Sequence, residues 1–316
     1  MKNQRLLENK VKAMQHPTEE EASRILAAYG ITKAGLARDV ANIRAWLEKQ
    51  PHLPADDIDD VVIERLLVRC KNSVVMAQCR LDDMYTVRSD LPEFYTDRDP
   101  LAPRLQQLFR VVGLCVMPRL TSDLHRVSLI RLRDTAVENF SVELLIKLTF
   151  MGQDVVIREP PTMGDCLIFD ARGYELAHAS GASPLFIRKA VSHVRRTYPA
   201  RVAGIHVLFP PVFAGRIINI VKSFLPDKIA SRIYTHDSFD SLLEHVPQDV
   251  LPSDYGGQER SSDELCELWQ EKLVSYREYF LSTEKVRSNE VLRQEKRKDN
   301  SISSSLDGSF RKLDID

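Results

Sequence analysis

The sequence predicts an α/β protein with a helical N-terminal part, and two observations carry that prediction. Residues 17–95 place apolar side chains at helical spacing. Beyond residue 100, three short β-type runs appear, RVSLIRL (126–132), CLIFD (166–170) and RVAGIHVLF (201–209), nearly forty residues apart with helical stretches between them. Strands that alternate with helices imply parallel strands joined by right-handed crossovers.

In the N-terminal part, Leu36, Val40, Ile43 and Leu47 recur at steps of four, three and four, which is one face of a helix. That helix stops at Pro51 and Pro54, and Asp56 and Asp57 can cap a following one that carries Val62, Ile63, Leu66 and Leu67. A third run follows Ser73, with Val74, Ala77, Leu81 and Met84 in register, and the helical part closes near Pro92. Mutual packing accounts for all three stripes.

In the α/β part, one helix is expected from about Val137 to Val156. A second starts at Ser183–Pro184, a capping hydroxyl followed by a proline at the position that needs no N–H. LPSDYGG (251–257) is a turn-rich closure, and residues 263–281 read as one more helix around Leu265, Leu268, Trp269 and Leu273. From about Lys285 the chain is charged and then Ser-rich (DNSISSS), the composition of a disordered tail. The expected units are an arm (1–18), a helical subdomain (19–95), an α/β domain (100–258), a C-terminal helix (259–284) and the tail (285–316).

Composition narrows the functional classes. A net charge of −1 over 316 residues provides no global field toward nucleic acid or an anionic membrane, so anion binding must come from a local cluster. The five cysteines are dispersed, which fits free thiols in a reducing compartment. The stretch MKNQRLLENKVK has no apolar core of a secretory signal, and no run approaches the roughly 18 apolar residues of a membrane span. The expectation is a soluble, cytosolic protein, monomeric and without nucleic-acid partners.

Catalytic signatures are missing. The chain has no G-x-G-x-x-G after a strand, no P-loop and no G-x-S-x-G elbow; HASGAS (178–183) has the wrong spacing. None of the eight histidines forms an H-x-x-x-H pair or lies near a cysteine at zinc-like spacing, so no metal or cofactor is expected. His178, His193 and His206 read as hydrogen-bonded structural residues. Asp170 ends a strand, where catalytic groups often lie, but FDARG equally suits an aspartate-capped turn.

One stretch asks for more. LFPPVFAGRIINIVKSFLPDKIASRI (208–233) opens on a double proline, continues as an apolar helix and closes on a basic turn. On a helical wheel Phe213, Ile217, Ile220, Val221 and Phe224 fall within an arc of about 100°, with Ile218 and Leu225 widening it. Pro226 interrupts the helix, and beyond it Lys228 and Arg232 are neighbours on one face. Two accounts are open at this point: a core-packing helix with a solvated basic edge, or a helix that closes a lipid cavity and touches membranes.

The order GLCVMPRL … RVSLIRL … LIFDARGYELAHA … YPARVAGIHVLFPPVFAGRIINIVKSFLPDKIASRIYTH … LLEHVPQDVLPSDYGG, preceded by LLVRCKNSVVMAQCRLDDMYTVRSDLPEF (66–94), resembles the CRAL-TRIO family of lipid-transfer proteins over about residues 20 to 285. Within that family it is most similar to the tocopherol-transfer, retinaldehyde-binding and clavesin group. The resemblance implies a helical N-terminal lobe and a lipid-binding lobe, with a mixed, largely parallel sheet as pocket floor and a mobile lid helix over it, here Pro210–Ile233. It implies a non-enzymatic carrier of a hydrophobic small molecule, or an adaptor that recognises phosphoinositides.

Family pocket positions fall on Leu144, Met151, Phe169, Tyr174, Val194 and Ile205, with Phe213 and Ile217 facing inward from the lid. Leu148, one helical turn from Leu144, and Val207, two along the strand from Ile205, join by geometry. The phosphoinositide-binding residues of tocopherol-transfer members match Arg201, Lys228 and Arg232, with Arg69 and Lys71 in LLVRCKN as looser matches. Two departures stand out: Ala203 replaces a second arginine, and Phe209 stands before the prolines where relatives commonly place asparagine.

Overall fold

The computed structural model describes residues 17–198 and 201–294; the expected arm over 1–16 and tail over 295–316 lie outside the described residues. Four helices build the N-terminal lobe: α1 (Glu19–Ala28), α2 (Lys33–Leu47), α3 (Asp60–Arg69) and α4 (Val74–Asp90). Helix α1 begins with a capping box, in which the Glu21 N–H donates to Thr18 Oγ1 and the Thr18 N–H donates to Glu21 Oε2. The run expected after Ser73 is α4, and Ser73 caps it by accepting from the Met76 N–H. The predicted stripes pack together: Leu36, Ile43, Leu47, Val62, Ile63, Leu66, Leu67, Ala77 and Leu81 share one buried cluster.

The expected cap at Asp56 and Asp57 is corrected. Those residues lie in a 3-10 turn, and α3 starts three residues later, behind Asp59. Asp59 makes no capping bond because its carboxylate pairs with Arg158 Nη1 at 2.5 Å. A tertiary ion pair outcompetes the local motif.

After α5 (Pro103–Val111) the chain enters a five-stranded sheet, β1 (Val112–Leu120), β2 (His125–Leu132), β3 (Gly164–Asp170), β4 (Val202–Leu208) and β5 (Ile233–His236), in the order β1-β2-β3-β4-β5. The β1–β2 pair is antiparallel and the other three are parallel. The predicted strands are β2, β3 and β4; β1 and β5 are additions. Helices α6 (Val142–Arg158), α7 (Pro184–Thr197) and α8 (Ala214–Ser223), followed by the single turn α9 (Asp227–Ala230), form the crossovers. Strands that advance in one direction through right-handed crossovers put every crossover helix on the same face. We call this the front.

The back is covered by the C-terminal segments α10 (Phe239–Leu243) and α11 (Ser262–Ser275). A side chain added at Gly113 of β1 would meet Cys266 Sγ of α11 at 3.1 Å, and His236 of β5 bonds Ser241 of α10 at 2.7 Å. The single helix expected over 263–281 is two, α11 and α12 (Arg277–Ser282), because Tyr276 breaks the run.

The lobes meet through a buried charge triad. Asp154 of α6 accepts from Arg98 at 2.6 Å and from Arg88 of α4 at 3.2 Å. Such a network is strongly destabilising to break, since one orphaned charge would stay buried. Disorder from residue 285 is corrected over 285–294. There the Ser288 N–H donates to the Tyr85 carbonyl, the Asn289 N–H donates to the His52 carbonyl, and Arg293 spans both oxygens of Asp82 at 2.7 and 2.8 Å.

Candidate lipid chamber and basic cleft

The pleat sorts the sheet's residues between two unlike faces. Register puts Leu129, Ile168 and His206 in line on the back, and all three are buried, at 0%, 0% and 3% exposure. One step along, Ser128, Leu167, Ile205 and Ile233 line up on the front, and all four are only half-buried. The front of β4 and β5 is therefore apolar but incompletely covered.

Helix α8 belongs to the β4→β5 crossover, which a right-handed connection puts on this side of the sheet. Its polar residues Gly215, Arg216, Asn219 and Ser223 are exposed. Its apolar residues Ile217, Ile218, Ile220 and Val221 are half-buried, as are Phe213 before it and Phe224 after it. None of these six belongs to, or packs against, any of the three buried clusters. Ile205, Val207 and Ile233 stand outside the clusters too. A core-packing helix would be knitted into the core; this one is not.

The sequence-predicted pocket residues divide into three groups. Leu148 and Met151 are fully buried in the main cluster, and Leu144, Phe169 and Tyr174 pack on its edge, with Phe169 and Tyr174 ring centroids 5.0 Å apart. Val194 packs instead on a separate cluster with Phe94 and Phe150. Ile205, Phe213 and Ile217 are half-buried and Val207 is buried, and all four stand outside the packed clusters.

At the start of the crossover, Phe209 adopts a left-handed backbone with φ of 49°. This is a strained state for an aromatic residue and one that asparagine tolerates better. Its ring is held by Phe239 at 5.3 Å and lies beneath Arg172 at 5.0 Å. At the far end, Arg195 Nη1 donates to the Phe224 carbonyl at 3.0 Å, tying α8 to α7. Leu176, Leu185 and Val212, after β3 and β4, are exposed.

The five basic residues singled out in the sequence come together. Arg69, Lys71, Arg201, Lys228 and Arg232 all line one cleft of about 300 Å³ between the two lobes. Different elements deliver them. Arg69 ends α3, and Lys71 follows in a left-handed conformation (φ 55°) that turns the chain. Arg201 precedes β4, while Lys228 and Arg232 lie on and after α9. Arg69 is anchored by a bond from Nη2 to the Val156 carbonyl at 2.8 Å and by the Tyr198 ring below it. Arg232 donates to the Val202 carbonyl.

Sequence reasoning missed Tyr29, Thr162 and Asp165 in this cleft. Tyr29 follows α1, Thr162 precedes β3 and Asp165 lies within β3, and no local pattern marks them. The Thr162 hydroxyl and Arg69 Nε are buried without a hydrogen-bond partner among the described residues. Burial pushes the Asp165 carboxyl up, with Arg69 and Arg126 opposing. Burial also holds His125, beside the cleft, below its usual value.

The other flagged residues have structural partners. Asp170 caps the turn, accepting the Arg172 N–H at 3.0 Å and the Tyr255 hydroxyl at 2.6 Å. His193 bonds the Tyr95 hydroxyl, and His206 bonds His236 at 2.9 Å. Among the described residues no group of acidic, histidine or cysteine side chains is arranged to hold a metal, and no helix is long and apolar enough to cross a membrane.

The sheet advances in one direction from β2 to β5, with three parallel pairs and crossover helices between them. Residues 111–257 match the CRAL/TRIO domain, and over that span the chain is similar to the CRAL-TRIO proteins. Residues 32–105 match the Pinta-like UBA domain.

The chain is similar to the mouse alpha-tocopherol transfer protein-like protein, 26% identical over 247 residues, which cover 77% of this chain and 71% of the relative. It is 27% identical to the human alpha-tocopherol transfer protein-like protein, over 70% of this chain and 65% of the relative. It is also similar to clavesin-1 of Xenopus laevis, 29% identical over 116 residues, 36% of this chain and 35% of that protein. The crystal structure of Sfh5 overlays 81% of this chain and 99% of its own with a TM-score of 0.47 at 10% identity.

Proposed function

We propose that the protein is a non-enzymatic carrier that holds a hydrophobic small molecule, tocopherol- or retinoid-like or another lipid, between the front of the sheet and α8. On this reading α8 is the lid, and cargo is exchanged at anionic or phosphoinositide-containing membranes. The observation that carries it is the apolar face of α8, half-buried and outside every packed cluster. A face of this kind gains free energy when apolar carbons are placed against it. The names of the tocopherol-transfer-like relatives point the same way.

The cleft supports the membrane half of the reading. Five cations facing one inter-lobe volume suit a phosphorylated headgroup, and two of them sit where the lid segment ends. Exposed Leu176, Leu185 and Val212 offer apolar contact to a bilayer surface. No bond is made or broken, so no acid or base is required.

The test is lipid extraction and native mass spectrometry of the purified full chain. A co-purifying lipid, or uptake of tocopherol, retinoid or phospholipid, is expected; a chamber that stays empty with all of them refutes the carrier. The same cleft favours a second reading, a phosphoinositide-binding trafficking adaptor needing no cargo. Liposome flotation separates the two: an adaptor floats equally well with its chamber blocked.

A further inference from the structure

Two buried hydrogen-bond donors that follow β3 have no partner among the described residues. Tyr174 and His178 follow β3, with ring centroids 5.6 Å apart. Phe140 stands at 5.7 Å from Tyr174 and 5.3 Å from His178, and Phe169, on the sheet's front, flanks Tyr174. His178 is only 3% exposed. Its Nδ1 accepts the Glu175 N–H at 3.0 Å, which places the proton of the neutral ring on Nε2. That Nε2–H is buried and unpartnered among the described residues, and so is the Tyr174 hydroxyl.

The arrangement is unlike that of the other enclosed tyrosines. Tyr255 gives its hydroxyl to Asp170 at 2.6 Å, Tyr95 meets His193, and Tyr276 donates to Glu159 at 3.2 Å. The nearby carboxylate is not free for Tyr174, because Asp170 is taken by Arg172 and Tyr255. Burial, with Asp170 adding to it, pushes the Tyr174 hydroxyl up, so it stays protonated. Buried polar groups find partners as a rule, and two donors side by side in an aromatic recess are complementary to an acceptor oxygen.

We propose that Tyr174 and His178 grip the polar end of the cargo, and that the cargo is an amphipath ending in a hydrogen-bond acceptor, a carboxylate or carbonyl, rather than plain hydrocarbon. The proposal rests on the carrier reading and adds the class of ligand to it. The chain's apolar portion lies toward Ile205, Val207 and the α8 face; the oxygen end lies at the carboxyl end of β3.

The experiment is displacement of a bound fluorescent lipid from the full chain by three probes of equal chain length: oleate, methyl oleate and octadecene. Wild type is expected to prefer the two oxygenated probes. Tyr174→Phe removes one donor with little change of shape. It should weaken oleate and methyl oleate about tenfold, or about 1.4 kcal/mol, and leave octadecene unchanged. His178→Gln should weaken the same two probes, and circular dichroism checks that both variants fold. Equal affinity for all three probes in wild type, or an equal loss for all three in the variants, overturns the anchor while leaving the carrier intact. Failure of every probe to bind overturns both.

Discussion

Removing the two exposed cations of the cleft should separate membrane attraction from cargo binding. Lys228 and Arg201 are both exposed, and neither side chain makes an ion pair or hydrogen bond among the described residues. Replacing both with alanine therefore costs the fold little. A basic side chain near an anionic surface contributes about 1 kcal/mol. The double variant should lose about 2 kcal/mol, a roughly thirtyfold fall in partitioning to phosphoinositide-containing vesicles. Added salt should narrow the gap, since the attraction is screened over about 10 Å at 0.1 M. The assay is liposome flotation at two salt concentrations, alongside lipid retention in solution. Unchanged flotation of the double variant would refute the role given to the cleft. Loss of cargo without membranes present would refute the division of labour between cleft and chamber. Arg69→Ala is a poorer probe, because Arg69 is buried and holds the Val156 carbonyl.

Three further outcomes are expected. Ile217→Asp on the open face of α8 should abolish cargo retention while shifting the urea midpoint by less than about 1 kcal/mol equivalent, because Ile217 belongs to no packed cluster. Leu148→Ala, at a site with 0% exposure in the main cluster, should instead cost about 2–5 kcal/mol by the same measurement. Stability should also fall in acid through the histidines. Burial holds His206 down to about 4 and His193 to about 3, so each is neutral in the folded chain and takes a proton on unfolding. Their contribution is complete above about pH 6.5 and is lost as pH falls toward 4, at about 1.4 kcal/mol per pH unit for each group. His206→Gln should flatten the slope of urea stability between pH 6.5 and 4; an unchanged slope would mean that the ring is already charged in the fold.

What could be read from the sequence was what local chemistry decides. Ser183–Pro184 starts α7 because a cap and a proline act within one turn, and the stripe Leu36, Ile43, Leu47 finds its partners in the same lobe. Asp56 and Asp57 misled because the neighbouring Asp59 is claimed by Arg158, a hundred residues away in the chain. Strand β1 escaped because Pro118 breaks its pattern; it is tolerated only because β1 is an edge strand whose register shifts between Val116 and Leu120. Strand β5 is four residues, IYTH, defined by pairing with β4 and not by periodicity.

The same divide runs through the candidate site. Lys228 and Arg232 stand out by their spacing, whereas Arg69, Lys71 and Arg201 come from family resemblance, since nothing local links Lys71 to Lys228. Tyr29, Thr162 and Asp165 had no such guide. Phe209 shows a substitution changing meaning once geometry is known. An aromatic residue stands at φ 49°, where its edge-to-face contact with Phe239 and the Arg172 guanidinium over its ring must offset backbone strain at the start of the crossover.

On the carrier reading, energetics explain why an apolar chamber and a basic cleft belong together. A lipid with some fifteen apolar carbons gains about 12 kcal/mol on leaving water. A bilayer offers nearly the same, so hydrophobic burial keeps the cargo out of water without deciding between membrane and protein. Direction must come from a term that exists only at the membrane. Three or four basic side chains at about 1 kcal/mol each supply one, enough to shift an opening equilibrium a hundredfold or more. Such a term acts on the chamber only if it pulls on the element that closes it. Here the connection is covalent: α8, Lys228 and Arg232 belong to a single β4→β5 crossover, and the Ile205 N–H bonds the Arg232 carbonyl. On the proposed reading, attraction at one end of that crossover bears on the seal at the other. Separating the two by a flexible insertion after Pro226 should leave vesicle binding intact and slow cargo exchange; exchange at the original rate would show that the lid opens without help from the cleft.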